Sequence, residues 1–241
     1  MLASHPRSRL DFAFLQKTTL LLWDIDGTLI ASGGAGMRAL QTALHRVFGI
    51  EGSLADIDFA GRTDQWIMRE IFRKFSVAPT PENFARCFEG YVAALPTELA
   101  NPQARVLLGV RELLRTAATH GTIAQGLLTG NMRRGAQVKL AHHGLWTYFA
   151  FGAFGDDSEF RNELGPHALR RAREHHRAEF APGRVWIIGD TPHDIACARA
   201  AGVRVLAVAT GGSTVNELTA HRPDAVLADL ADSEAFWKII G

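Results

Sequence analysis

The chain has 241 residues, enough to bury a substantial core as one large domain or as a domain with an insert. Its 26 Lys and Arg balance 25 Asp and Glu, so no global positive field draws it to nucleic acid or an anionic membrane. A hydrophobic share of 47% with 21% charged residues excludes a disordered chain, and no apolar run is long enough to span a bilayer.

Residues 1–17, MLASHPRSRLDFAFLQK, read as a surface extension, because Asp11 and Gln16 interrupt the apolar core a signal peptide would need. Leu20 to Trp23 is a short apolar run that reads as a strand buried on both faces and stops at Asp24. Asp26 follows two residues later, so both carboxylates can face one ligand, and Gly27 permits a sharp turn. The ASGGAG stretch from Ala31 to Gly36 is too glycine-rich for an element interior and reads as a hinge. Three stripes of 3.6-residue period come next: Met37 to Phe48, closed by Gly49; Ile67 to Phe75, after Asp64; and Phe84 to Leu95. With no strand among them, residues 32–104 form a small helical insert.

From Gly109 the rhythm alternates. A helix over Val110 to Ala117 leads to a strand over Thr122 to Leu128, then a helix over Arg133 to His143 closed by Gly144. The pattern continues with a strand over Tyr148 to Phe154, a helix over about Glu163 to Arg177, a strand over Arg184 to Ile188, a helix over Ile195 to Ala201, and a strand from Val203. This alternation predicts an α/β fold: a Rossmann-like, three-layer parallel-sheet core over residues 18–31 and 105–241, interrupted by the α-helical cap over 32–104. Cys87 and Cys197 have no paired spacing and fall in helical stretches, so they read as buried free thiols in a reducing cytoplasm. The His142-His143 and His175-His176 pairs point about 100° apart on a helix, read as surface, and are unsuited to sharing a metal. A charge cluster from Arg170 to Arg177 reads as a solvated helix face.

In a parallel sheet, ligands sit beyond the carboxyl ends of the strands. Three predicted strands end in polar residues on that edge: Asp24 with Asp26, Thr129, and Asp190 with Asp194. Crowded carboxylates raise one another's pKa unless a cation neutralises them, and an all-oxygen set favours Mg²⁺. Such a set suits phosphoryl chemistry: attack by Asp24, proton transfer by Asp26, and Thr129 with the backbone N–H groups of Gly130 and Asn131 holding the phosphoryl oxygens. Arg161 or Lys139 supplies the balancing positive charge. In the insert, FAGRTD over 59–64 offers Arg62 to an anionic end of a substrate, with a structural salt bridge as the alternative, while Trp66 reads as core packing.

These segments, DIDGT at 24–28, LLTGN at 127–131 and GDTPHD at 189–194, resemble three motifs of the haloacid dehalogenase superfamily, in order and spacing, and specifically its phosphatase branch of the phosphoglycolate phosphatase-like type with a helical cap. The resemblance implies Asp24 as nucleophile, Asp26 as acid and base, Thr129 as phosphate binder, and Mg²⁺ held by Asp24, Asp190 and the backbone carbonyl of Asp26, with Asp194 acting directly or through water. Two departures stand out. The family's third motif is a lysine followed by proline; here DDSEFRNELGP replaces it, and Arg161 is preferred over Lys139 as the basic group. ASGGAG also stands where many relatives carry Asp-Ser and a proline, which weakens analogy to any one substrate class. The expected function is a Mg²⁺-dependent cytoplasmic phosphatase, monomeric or homodimeric, acting on small phosphorylated metabolites, with no nucleic acid or membrane partner. A phosphosugar mutase and a non-catalytic metabolite-binding protein are the alternatives; hydrolytic dehalogenation fits less well, since a halide needs no proton donor such as Asp26.

Overall fold

A computed structural model describes residues 18–241, and the surface extension expected over residues 1–17 lies outside the described residues. The main sheet has six strands, all paired in parallel: β1 (Thr19–Trp23), β4 (Ile123–Leu128), β5 (Gly152–Ala153), β6 (Val185–Gly189), β7 (Arg204–Val208) and β8 (Ala225–Leu227). Their order is β5-β4-β1-β6-β7-β8. The chain therefore builds outward from β1 on one side, then returns to build outward on the other. This topology puts a switch point at β1, where open α/β sheets open a crevice for ligands.

Strand alternation makes the three layers. Leu21 and Trp23 of β1 join Trp186, Ile188, Leu206 and Val208 on one face, under α4 (Val110–Thr119), α5 (Arg133–His142) and α9 (Ser233–Ile240). Leu20 and Leu22 join Val185, Ile187, Val205 and Ala207 on the other, under α6 (Leu164–His176), α7 (Pro192–Ala201) and α8 (Val215–Ala220). Trp23 stacks on Phe236 of α9, with ring centroids 5.6 Å apart and planes 10° from parallel. Full burial of such aromatic and aliphatic side chains contributes about 1.5 to 3 kcal/mol each.

The helical block packs as a separate cluster. Its helices are α1 (Ala35–Phe48), α2 (Asp64–Lys74) and α3 (Pro81–Leu99), with Leu40, Leu44, Ile71, Phe72, Cys87 and Leu95 among the residues of its core. Gly49 ends α1 in the left-handed conformation, and the Thr63 side chain caps α2 by accepting from the Trp66 N–H. A two-stranded antiparallel ribbon, β2 (Ile30–Ala31) with β3 (Arg105–Val106), carries the chain into and out of this block. The glycine-rich stretch is thus shorter as an irregular segment than expected. Ala31 closes β2 and Ala35 opens α1, leaving Gly33 and Gly34, both at positive φ, to make the bend.

The strand expected over Tyr148 to Phe154 is corrected: Trp146–Tyr148 is a turn of 3-10 helix and only Gly152–Ala153 pairs with β4. This edge strand has a neighbour on one side alone, so most of its apolar residues pack from irregular backbone. The helix expected from Ile195 starts at Pro192, because Thr191 caps it and proline suits the first turn. Cys87 and Cys197 are buried free thiols, and burial pushes them up to about 12 and about 11. Among the described residues no helix is long and apolar enough to cross a membrane.

Candidate active site

β1 lies between β4 and β6, so the residues leaving these three strands meet at one edge. Asp24 follows β1, Thr129 follows β4 and Asp190 follows β6, and all three are buried. Gly27, at φ 81°, turns the chain after Asp24, and its N–H donates to the Ile30 carbonyl at 2.8 Å. Oxygens of Asp24, Asp190 and Asp194 all lie within 4.8 Å of one another. The convergence expected of strands far apart in sequence is present.

Each carboxylate has its own setting. The Asp190 carboxylate accepts from the Thr28 hydroxyl at 3.2 Å, and both Gly27 and Gly211 press against it where a side chain would clash. Asp194 is fully buried in the first turn of α7; one oxygen accepts from the Thr191 N–H at 3.0 Å and its hydroxyl at 2.7 Å, and the other from Arg161. Asp194 thus completes the capping box of α7 with one oxygen and pairs with Arg161 through the other. Arg161 also lies 3.0 Å from Asp24. Burial pushes Asp24 up to about 6, opposed by Arg161 and assisted by Asp194 and Asp26. Burial and the charges of Asp194 and Asp24 raise Asp190 well above the usual carboxylate range.

Asp26 faces a different neighbourhood. Its side chain accepts from Lys139 at 2.6 Å and from the Asn131 amide at 2.8 Å, while Lys139 also donates to the Asn131 side-chain oxygen at 2.6 Å. Burial works to raise the Asp26 carboxyl, but Lys139, Asn131 and Ser32 outweigh it and hold it below the ordinary value. Burial opposes the charge on Lys139, yet Asp26, Tyr91 and Asp64 overcome that and keep the ammonium firmly protonated. The Asp26 carboxylate stands outside the triad of Asp24, Asp190 and Asp194 oxygens. Thr129 accepts from the Asn131 side chain at 2.9 Å and does not cap α5, whose N-cap is Met132.

Arg161 and Lys139, weighed as alternatives, both line the same cavity, one against Asp24 and the other against Asp26. Gly130 lines it too, but its carbonyl accepts from the Asp64 N–H at 2.8 Å. Arg62 lines the cavity wall while its guanidinium pairs with Asp58 at 3.0 Å and stacks 4.3 Å over the Trp66 ring, so its structural salt bridge is formed.

Sequence reasoning passed over the seam that closes the site. Asp64, at the start of α2, accepts from the Met132 N–H at 2.8 Å, and Thr63 donates to the Glu159 carbonyl at 2.6 Å. Arg161 donates to the Gly61 carbonyl at 3.3 Å. Residues 61–64 are thereby fastened to loops of the α/β core. Tyr91 and Thr28, both buried beside the acids, were missed as well. Asp64 stands at the start of a helix, where an acid satisfies the dipole without any further role, so nothing in the sequence singled it out.

A parallel sheet with a buried acidic triad at its switch point, roofed by a helical block, is the arrangement of a hydrolase. The profile of the haloacid dehalogenase-like hydrolases matches residues 21–199, and the chain belongs to that family. It is similar to a phosphoglycolate phosphatase of Synechococcus elongatus, 27% identical over 88% of this chain and 93% of the relative. Among solved structures, it resembles a hydrolase from Pseudomonas syringae at a TM-score of 0.69, 22% identical over 93% of this chain and 100% of that one. It also resembles CbbY from Rhodobacter sphaeroides, solved in complex with phosphate, at a TM-score of 0.71 and 18% identity over 89% of this chain and 96% of that one. These two structural likenesses establish the fold.

Proposed function

We propose that this chain is a Mg²⁺-dependent phosphatase of small phosphomonoesters, with Asp24 as nucleophile and residues 32–104 as a cap over the reaction. The observation that carries the reading is the triad of Asp24, Asp190 and Asp194 oxygens within 4.8 Å, with Asp26 two residues from the nucleophile. The names of the curated relatives support it. A cytoplasmic setting belongs to the proposal and is consistent with two buried free cysteines.

The donor set fits Mg²⁺. Three carboxylates against one guanidinium leave negative charge for a dication, and every donor is oxygen. Asp24, Asp190 and the Asp26 carbonyl would hold the ion, with Asp194 acting through hydrogen bonds because Thr191 and Arg161 already engage both its oxygens. When bound, the ion would offset repulsion between the phosphate dianion and the attacking carboxylate.

An Asp24 oxygen attacks phosphorus, and the bond to the leaving alkoxide breaks, giving an aspartyl-phosphate. Thr129 and Arg161, which line the same cavity, would hold the phosphoryl oxygens. Asp26, kept ionised by Lys139, suits the second half, in which it takes the proton of the attacking water. The first half needs a proton for the alkoxide, from Asp26 once protonated or from the ammonium that touches it. The cap seam at residues 61–64 excludes bulk water meanwhile.

The test is hydrolysis of para-nitrophenyl phosphate with Mg²⁺ and with chelator, by the wild type and by Asp24→Asn. Turnover should require the ion, and the folded variant should lose on the order of 10⁴-fold or more. Wild-type rates in folded Asp24→Asn would remove the proposal.

A further inference from the structure

The cavity beneath the cap encloses about 350 Å³, the small end of the range for ligand sites, and its two faces are unlike. The core face carries the charges described above. The cap face, which would meet the alcohol half of an ester whose phosphoryl group sits at Asp24, presents Met37 and Leu40 from α1, Phe59, Ile67 from α2, and Tyr91 from α3. Tyr91 shares that face with three other polar side chains, Ser32, Arg62 and Asp64, and burial raises its hydroxyl, so it stays neutral.

Three cations line the cavity: Arg62, Lys139 and Arg161. Each already has an anionic partner. Arg161 is shared between Asp24 and Asp194, Lys139 is held by Asp26, and Arg62 is paired with Asp58 and stacked on Trp66. The substrate's phosphoryl group would draw further on Arg161. A second anion on the substrate would meet this hydrocarbon and the Asp64 carboxyl, with every lining cation already paired.

Resting on the phosphatase reading, we infer that this site selects phosphomonoesters whose alcohol half is uncharged and presents hydrocarbon, and discriminates against esters of hydroxy acids. The relatives named phosphoglycolate phosphatase are therefore poor guides to this chain's substrate. Each methylene seated against Met37, Leu40 and Ile67 is worth about 4-fold in affinity. A carboxylate left unpaired on that wall costs about 10-fold or more.

The experiment compares kcat/KM for isobutyl phosphate, ethyl phosphate and 2-phosphoglycolate with the full chain and Mg²⁺. The order expected is isobutyl above ethyl above 2-phosphoglycolate, with about 10-fold or more between the first and last. Equal or better turnover of 2-phosphoglycolate overturns the selectivity while leaving the phosphatase reading in place. Release of phosphate from none of the three, nor from para-nitrophenyl phosphate, overturns that reading and the selectivity with it. Met37→Lys, at a half-buried cap position, should swing the ratio toward 2-phosphoglycolate by about 10-fold. An unchanged ratio in folded Met37→Lys counts against the assignment of that wall, and the wild-type comparison decides the matter if the variant does not fold.

Discussion

The Lys139 ammonium lies 2.6 Å from an oxygen of Asp26, joining a helix behind β4 to the turn that follows β1. The same ammonium donates to Asn131, whose amide donates to Asp26, so three side chains hold one another in a closed ring. Replacing the lysine by methionine keeps the stem and removes the ring's only formal cation. In Lys139→Met, kcat should fall about 10²-fold with KM changed less, and unfolding in urea should show a loss of about 2 kcal/mol. An unchanged kcat would mean that Asp26 needs no such support.

Asp64 predicts a pH dependence of stability. Burial pushes its carboxyl up to about 6 in the folded chain, against an ordinary value of 3.8, with Lys139 and the Met132 N–H opposing. The raised value means the folded protein favours the protonated acid. Its contribution is fully present below about pH 4 and is lost as pH rises through about 6, on the order of 2 to 3 kcal/mol. Asp64→Asn keeps an acceptor for Met132 and removes the titration. Its melting temperature should match wild type near pH 4 and exceed it near pH 8; a difference that is constant across that range would refute the assignment.

A methyl group at Gly211 would stand 1.8 Å from an Asp190 oxygen, whereas one at Gly212 meets nothing within 4 Å. Adjacent glycines thus make a controlled pair. Gly211→Ala must displace either its loop or Asp190, and should lower phosphatase activity by about 10²-fold with a small change in melting temperature. Gly212→Ala should behave as wild type. Equal activity in both would show that the clash at Gly211 is relieved without consequence for the site.

Magnesium should also be visible without turnover. An ion that binds only the folded chain stabilises it, by about 2.7 kcal/mol at a hundred times its dissociation constant, which for a chain of this size raises the melting temperature by about 5 °C or more. Asp190→Asn should lose most of that shift. A shift of equal size in the variant would place the ion elsewhere.

Much of this architecture is readable in one dimension because it depends on local chemistry. Leu20 to Trp23 declares a doubly buried strand, Gly49, Gly144 and Gly202 punctuate helices, and the acids at 24, 26 and 190 follow apolar runs that need burial. What followed residue 210 was harder. Strand β8 has only three residues, and α9 was passed over although Asp232 caps it and Phe236 stacks on Trp23. Edge strand β5 misled because apolar residues can pack from irregular backbone as well as from a ladder.

By itself the order of residues determined that acids and a threonine leave the ends of three strands, and that a sheet of parallel strands must bring them to one edge. Partner choice was beyond it. Nothing local tells Arg161 to lie between Asp24 and Asp194, or Lys139 to turn to Asp26, because both cations come from segments more than a hundred residues from the first acid. Only the packed fold, by removing water from those charges, decides which ions must pair. It likewise decided which members of the cap stripes line the cavity, since Met37, Leu40 and Ile67 read only as helical stripe residues until the fold set them around the same cavity as the acids.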